Sequence, residues 1–183
     1  MSDKLKSMWL SLHSLASYTS EVTAGKRLVL QPTAMSELFG VHWTLDLSCG
    51  PFARNTKVLR EQFGGKQVGY DLPNVVSFAT EDARAQYDLL TSDFDEACAV
   101  QPRIVVAIVA FQHFSHEQIV WHCERLVKFP HLLLVQSRTY CDVTGTWVHE
   151  ELAPFYHIPQ AVVQFCVESP RTEHWAATLV PKR

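Results

Sequence analysis

Short apolar runs alternate with longer amphipathic stretches between residues 43 and 137. The runs predict strands and the stretches predict helices, and this alternation is typical of a parallel sheet with helices on its faces. The stretch 103–111, RIVVAIVAF, is apolar after its first residue and is therefore expected at the centre of the sheet. The predicted strands are 43–47, 66–72, 87–93, 103–111 and 132–137.

Residues that cap or interrupt helices set the predicted helix ends. The helices are expected at 54–64, closed by Gly64 and Gly65, from Pro73 to about Gln86, and at 116–128, capped by Ser115. Two further apolar runs, 161–169 and 174–182, are separated by Pro170 and Arg171 and predict a closing antiparallel hairpin.

The first 40 residues carry a different pattern. Residues 2–18 place four apolar side chains at helical spacing and predict an amphipathic helix, for which packing against the core is favoured over a role as a binding lid. Residues 19–40 have no firm period and either cover the site or merely connect. We therefore expect a single domain over 1–183, with an N-terminal helix and cover segment at 1–40 and the core at 41–183.

Composition narrows the function classes. A length of 183 residues with 47% hydrophobic residues suits one globular domain, and a net charge of −3 gives no general attraction to nucleic acid. The five cysteines are scattered without a C-x-x-C pair, which favours free thiols in a reducing compartment. No apolar run approaches the ~20 residues that span a bilayer. We expect a cytoplasmic protein without a membrane partner.

The segment that follows the first predicted strand, SCGPFA at 48–53, is a small-residue elbow of the kind that grips nucleotide-type cofactors. A dinucleotide site needs the pattern G-x-G-x-x-G, but Ser48 replaces its first glycine and Pro51 removes a backbone N–H donor. A diphosphate would be poorly held here. The chain also has no Walker A motif, which argues against NTP hydrolysis.

Acidic residues also stand at the ends of the second and third predicted strands. Ligands of open parallel sheets bind beyond the carboxyl ends of the strands, where Asp71, Asp93 and the stretch 111–114 are expected to converge with the elbow. A carboxylate that ends the second strand suits a ribose diol, because it accepts hydrogen bonds from both hydroxyls. A turn residue before Pro73 is the alternative role for Asp71.

These segments resemble the motifs of the class I S-adenosylmethionine-dependent methyltransferases over residues 42–183. LDLSCGPF is similar to the first motif, D-x-G-x-G-x-G, VGYDL to the second and LLTSDF to the third. The resemblance implies a Rossmann-like, doubly wound α/β fold with a mostly parallel sheet and a C-terminal antiparallel hairpin. It implies S-adenosylmethionine as the cofactor, with Asp71 on the ribose, Asp93 on the adenine amino group and Phe94 on its ring.

Two positions depart from the first motif. Ser48 is small enough for close backbone approach and offers a hydroxyl near the methionine end. Phe52 is bulky, so its ring must point away or form a wall of the methionine pocket. The residues expected around the cofactor are Asp46, Ser48, Cys49, Gly50, Phe52, Asp71, Leu72, Asp93, Phe94 and Phe111.

The end of the fourth strand, VAFQHFSHE, lacks the acidic, N-P-P-Y and Pro-Cys signatures of several methyltransferase classes. An acceptor that is nucleophilic without losing a proton is therefore favoured. The segment with His113 and Phe114 also resembles the H-Y segment of messenger-RNA cap guanine-N7 methyltransferases. That resemblance implies a capped RNA partner, with His113, Phe114 and Glu150 or Glu151 contacting the guanine. A small-molecule N-, O- or S-acceptor is the alternative.

Other classes remain as alternatives. One is a non-catalytic scaffold that keeps the fold and serves a partner protein. A nicotinamide-dependent oxidoreductase is disfavoured by the missing glycine and by the lack of a Tyr-x-x-x-Lys pair. No metal is expected, since His113, His116, His122 and Cys123 match no zinc-binding spacing. The oligomeric state is left open.

Overall fold

The computed structural model describes residues 42–53, 55–108, 110–111, 114–137, 151–157, 163–165 and 174–182. Its strands are β1 Trp43–Leu47, β2 Lys66–Tyr70, β3 Leu89–Thr91, β4 Ile104–Ile108, β5 His131–Ser137, β6 Tyr156–His157, β7 Val163–Phe165 and β8 His174–Pro181. Its helices include α1 Thr56–Phe63, α2 Pro73–Ser77, α3 Glu81–Gln86, α4 Phe94–Ala99 and α5 His116–Leu126.

The strands of the described residues form one eight-stranded sheet in the order β3-β2-β1-β4-β5-β8-β6, with β7 also paired to β8. The neighbours from β3 to β5 are parallel, whereas β8 runs antiparallel to β5 and to β7. The strand order reverses between β1 and β4, which is where ligands of such sheets bind. The predicted parallel sheet, the central position of β4 and the closing hairpin are confirmed.

The alternation of side chains along β1 separates two layers. Leu45 and Leu47 belong to the large core that also holds α4 and α5, and both are fully buried. Asp46 lies between them in sequence and therefore points to the other face of the sheet. On that face Tyr87, which follows α3, packs against the elbow residues Cys49 and Ala53.

Several predicted element boundaries were wrong. The helix expected from Pro73 to about Gln86 is two helices, because the Thr80 side chain accepts the N–H of Ala83 at 3.1 Å and starts α3. The strand expected at 87–93 is shorter and consists of β3, Leu89–Thr91. It ends early because Asp93 caps helix α4, which was not predicted. Strand β6 was not predicted either. The N-terminal helix at 2–18 and the segment 19–40 lie outside the described residues.

Helix α5 begins as the sequence predicts. The Ser115 side chain accepts the N–H of Gln118 at 3.3 Å, and the Gln118 side chain accepts the N–H of Ser115 at 2.8 Å. This reciprocal pair is a capping box, which satisfies two N–H groups that the helix leaves without partners. It fixes the start of the helix that follows the β4 end of the crevice.

None of the helices in the described ranges combines the length and apolar character that crossing a bilayer requires.

Removal of the Ser115 hydroxyl tests this cap. Ser115→Ala is expected to lower the free energy of unfolding by about 1 kcal/mol, because one helix N–H loses its acceptor. Ser115→Thr is the matched control and should stay within about 0.5 kcal/mol of the wild type, since its hydroxyl accepts the same bond. Urea unfolding measures both variants, and equal losses in the two would contradict the cap.

Candidate active site

The elbow after β1 has an unusual backbone conformation. Three of its residues lie in the left-handed region, with φ of 61° at Ser48, 67° at Gly50 and 50° at Ala53. Glycine adopts this region without strain, whereas serine and alanine pay on the order of 1 kcal/mol each. Ser48 thus holds the backbone in the shape that glycine would adopt at this position. The elbow keeps its sharp turn despite the missing glycine.

Asp71 joins the elbow to the end of β2. Its Oδ2 accepts the N–H of Gly50 at 2.8 Å, and its Oδ1 accepts the N–H of Leu72 at 2.7 Å. The N–H of Cys49 donates to the Tyr70 carbonyl at 3.1 Å and forms a second link between the same two segments. The predicted convergence of the elbow and Asp71 is therefore a direct contact.

The Asp71 carboxyl is 9% exposed. Burial raises its pKa, and the N–H donors of Gly50 and Leu72 oppose that rise without cancelling it. Each carboxylate oxygen has two lone pairs, of which the backbone uses one. The remaining lone pairs are available to a ligand's hydroxyl groups at the rim of the crevice.

Asp46 lies beneath the elbow and is 1% exposed. Its Oδ2 accepts the Tyr87 hydroxyl at 2.7 Å, and its Oδ1 accepts the Asn55 side-chain amide at 3.4 Å. Burial raises the pKa of Asp46 to about 7, although both hydrogen bonds act in the opposite direction. A carboxyl in this state takes up or releases a proton near neutral pH.

Asp93 caps α4. Its Oδ1 accepts the N–H groups of Asp95 at 2.9 Å and Glu96 at 3.2 Å, and the side chain is exposed at the carboxyl end of β3. Burial is the largest cause that raises the pKa of the Tyr70 hydroxyl, and the negative charges of Asp71 and Asp93 raise it further. Asp93 thus has a structural role in addition to its predicted contact with adenine.

Aromatic side chains fill the space below the ends of β2, β3 and β4. This aromatic cluster consists of Tyr70, Phe94, Phe111, Phe114, Trp121 and His122. Phe94 and Phe111 are buried in it. Phe114 is half-buried, stacks on His122 with ring centroids 4.6 Å apart and meets Phe111 edge-on at 5.4 Å.

The His122 ring is held by its own helix. Its Nδ1 donates to the Gln118 carbonyl at 2.7 Å, and burial lowers its pKa, so the ring is neutral near pH 7. Its buried Nε2 has no hydrogen-bond partner within the described ranges. From the sequence, His122 was weighed as a metal ligand and preferred as a surface or helix-face histidine. Its stacking on Phe114 was not predicted, because a helix-face histidine gives no signal of the ring that it meets in space.

Known proteins were compared at the levels of sequence and structure. No family model and no curated protein matches the sequence. Similar solved structures include a TehB-like methyltransferase of Corynebacterium glutamicum, with 12% identity, 93% of this chain and 97% of that one covered, and a TM-score of 0.57. The riboflavin-type dimethyltransferase RosA of Streptomyces davawensis has 12% identity, coverages of 94% and 56%, and a TM-score of 0.63.

Human N-acetylserotonin methyltransferase has 14% identity, coverages of 92% and 55%, and a TM-score of 0.59. The TM-scores of these structures show that they share the overall fold of this chain. The chain has the class I methyltransferase fold. It spans nearly the whole TehB-like protein but only a little over half of the two larger enzymes.

Two apolar side chains of the methyltransferase fold are exposed at the crevice. Leu72, next to Asp71, is 54% exposed, and Phe52 on the elbow is 41% exposed. Phe52 has an ordinary negative φ, so no glycine is required at this position; the positive φ falls on Ala53 instead. With this exposure the Phe52 ring is not packed into the protein interior.

The acceptor side of the methyltransferase fold is described in part. His113 and Glu150 lie outside the described residues. The neighbouring candidate Glu151 is half-buried, and its Oε2 lies 3.5 Å from Nδ1 of the exposed His116 at the start of α5. Of the residues proposed to contact the acceptor, Phe114 and Glu151 are therefore the two that the structure describes.

Asp46 gives a pH-dependent test of this site. A carboxyl whose ordinary pKa is 3.8 and whose pKa in the folded protein is about 7 favours folding at low pH, and loses that contribution as the pH rises through this window. Asp46→Asn removes the ionisation. Relative to the wild type, the variant should therefore gain about 2–3 kcal/mol of unfolding free energy between pH 5 and pH 8.

Urea unfolding of both proteins at the two pH values measures this gain. Asp82→Asn, which removes an exposed acid on α3, is the control and should follow the wild type. A stability difference between Asp46→Asn and the wild type that is constant with pH would contradict a raised pKa.

Proposed function

We propose that the protein is an S-adenosylmethionine-dependent methyltransferase that acts on a small-molecule acceptor. The observation that carries this proposal is the pair of hydrogen bonds from Gly50 and Leu72 to Asp71, which builds the ribose-binding corner of the methyltransferase fold. An elbow that had lost its function would be free to lose this bond and the strained backbone at Ser48 that accompanies it.

The residues at the crevice fit the nucleoside part of the cofactor. The free lone pairs of Asp71 are suited to the two ribose hydroxyls. The exposed side chain of Leu72 offers an apolar surface to the adenine ring, and Asp93 has a second carboxylate oxygen for the exocyclic amine. We infer that the cofactor's adenosine lies across the ends of β2 and β3.

The charges of the site support a cationic ligand over an anionic one. Asp46, Asp71 and Asp93 lie at the ends of three adjacent strands, and two of them are buried. Buried carboxyls disfavour a diphosphate and favour a sulfonium amino acid, because the ligand's positive charge offsets their desolvation. This is the electrostatic reason to prefer S-adenosylmethionine to a dinucleotide.

The cofactor, when bound, supplies a methyl group to an acceptor lone pair and leaves as a neutral thioether. The chain's own residues hold the two partners in line and exclude water. The aromatic cluster forms the acceptor side, with the Phe114 ring fixed between His122 and Phe111. A planar aromatic or heteroaromatic acceptor stacks well on such a ring.

The comparison structures also favour a small acceptor. Among the proteins of similar structure, one is a riboflavin-type dimethyltransferase and another is an N-acetylserotonin methyltransferase, and both names refer to small aromatic molecules. The cap guanine-N7 interpretation depends on His113 and on Glu150 or Glu151 as well as on Phe114, and the contacts of Phe114 and Glu151 give no preference for a cap. We therefore place the small-molecule acceptor first.

Transfer of a labelled methyl group tests the acceptor. The wild type is incubated with labelled S-adenosylmethionine and a panel of flavonoids, indoleamines, flavins, catechols and thiols, beside capped and uncapped RNA. Labelling of one or more small aromatic compounds is expected. Labelling of capped RNA alone would overturn the proposed acceptor, and cofactor binding without transfer to any compound would favour the scaffold alternative.

Asp71 should be essential for cofactor binding. In Asp71→Asn one side-chain oxygen becomes an NH₂ group that faces a backbone N–H, so the variant loses a bond to the elbow as well as the ribose acceptor. Calorimetry should show affinity for S-adenosylhomocysteine reduced at least about tenfold. Asp82→Asn serves as the control, and unchanged affinity in Asp71→Asn would contradict the proposed corner.

Phe114 should affect the acceptor and not the cofactor. Phe114→Ala removes the stacking surface, and the KM of an aromatic acceptor is expected to rise about tenfold while the Kd of S-adenosylhomocysteine stays the same. Phe78→Ala, which truncates an exposed phenylalanine after α2, is the control. An equal loss of cofactor affinity in Phe114→Ala would contradict the assignment of this ring to the acceptor side of the site.

A further inference from the structure

Tyr87 has no role in the site as derived from the sequence, yet it reaches the acid beneath the elbow. It follows α3 and is 6% exposed. Its hydroxyl donates to Asp46 Oδ2 at 2.7 Å, across 41 positions of the chain. The same side chain packs against Cys49 and Ala53 of the elbow. Tyr87 therefore contacts both the elbow and its buried acid.

Strand β2 is built to let this ring pass. Gly69 pairs with Asp46 in the register of β1 and β2. A Cβ atom at Gly69 would lie 2.9 Å from Cζ of the Tyr87 ring, which is closer than side-chain carbons approach one another. The Tyr87 ring thus crosses β2 over Gly69, which has no side chain to block it. Its hydroxyl then reaches Asp46 on the neighbouring strand β1.

Among the described residues, Asp46 has fewer short hydrogen-bond partners than Asp71, the other buried carboxyl. Asp71 receives two short bonds from backbone N–H groups, whereas Asp46 receives one short bond from Tyr87 and one of 3.4 Å from Asn55. A carboxyl with this much unused capacity is the natural partner for a ligand's ammonium group, acting directly or through water. The cofactor's amino-acid end carries such a group.

We propose that Tyr87 is a positioning residue for the cofactor's amino-acid end, because its hydroxyl orients the Asp46 carboxylate beneath the elbow. This inference rests on the proposed function. It adds a residue outside the sequence motifs and assigns to it selectivity for ligands that carry the amino-acid group. Phenylalanine at position 87 would fill the same space without orienting the acid.

The surrounding charges give the contact a pH signature. The titratable groups that face Asp46 are Tyr87 after α3, Cys49 in the elbow and Asp71 after β2. The Tyr87 hydroxyl lowers the pKa of Asp46 against the larger effect of burial. Loss of the hydroxyl leaves Asp46 protonated to higher pH, so the ammonium group meets a neutral partner over a wider range.

The test compares two ligands that differ in the amino-acid group. Calorimetry measures the affinities of S-adenosylhomocysteine, which has this group, and 5′-methylthioadenosine, which lacks it, for the full chain between pH 6 and pH 8.5. Tyr87→Phe should weaken S-adenosylhomocysteine about fivefold to tenfold and leave methylthioadenosine within about twofold. The pH at which S-adenosylhomocysteine affinity reaches half its maximum should also rise in this variant.

Three further variants keep the test decisive. In an Asp46→Asn background, Tyr87→Phe should have no additional effect on S-adenosylhomocysteine. Gly69→Ala, which pushes the ring and keeps the hydroxyl, should produce the same ligand-selective loss, and it replaces Tyr87→Phe if that variant fails to fold. Tyr156→Phe is the matched control, since Tyr156 is a buried tyrosine whose hydroxyl has no partner within the described ranges.

Each other outcome counts against the proposal. Equal weakening of both ligands would show that Tyr87 only supports the fold, and a Tyr87→Phe loss that persists in the Asp46→Asn background would show that it does not act through Asp46. An unchanged affinity in both Tyr87→Phe and Gly69→Ala would overturn the proposal outright. Failure of the wild type to bind either ligand is a different result, because it would overturn the proposed function itself.

Discussion

The hydrogen bond from the Gly50 N–H to the Asp71 carboxylate is the interaction on which the site depends. It joins the elbow after β1 to the end of β2 at 2.8 Å, and the N–H of Leu72 fixes the other oxygen of the same carboxylate. Without it, the described part of the elbow would be joined to the end of β2 by the bond from the Cys49 N–H to the Tyr70 carbonyl alone. The corner that results sets the buried Asp71 beside the exposed Leu72.

The second constraint is electrostatic. Burial of Asp46 and Asp71 raises the pKa of both carboxyls, which means that the folded protein carries a cost for their charge. A stable fold alone would be better served by apolar residues at these positions. Under the proposed function, the positive charge of the ligand offsets this cost at the ends of the three adjacent strands. The same argument disfavours diphosphate ligands independently of the missing glycine.

The sequence predicted the parallel sheet, its central strand, the closing hairpin and the convergence of the elbow and Asp71 on one crevice. These features follow from local patterns, since apolar runs and the residues that end strands can be recognised in the amino-acid sequence. The break between α2 and α3 was missed because Thr80 was not recognised as a helix cap. Helix α4 was missed because Asp93 was weighed as a ligand contact or a solvated strand-end residue and not as a helix cap. The interaction of Tyr87 with Asp46 depends on the register that sets Gly69 beside Asp46, which no local pattern reveals.

The most direct test of the account is a calorimetric titration of the wild-type protein with S-adenosylhomocysteine, beside a titration with NADH. The site that contains the buried Asp46 and Asp71 should bind S-adenosylhomocysteine with one molecule per chain. The dinucleotide, with its anionic diphosphate, should not bind. Absence of S-adenosylhomocysteine binding to the folded protein, or tighter binding of NADH, would contradict the central claim.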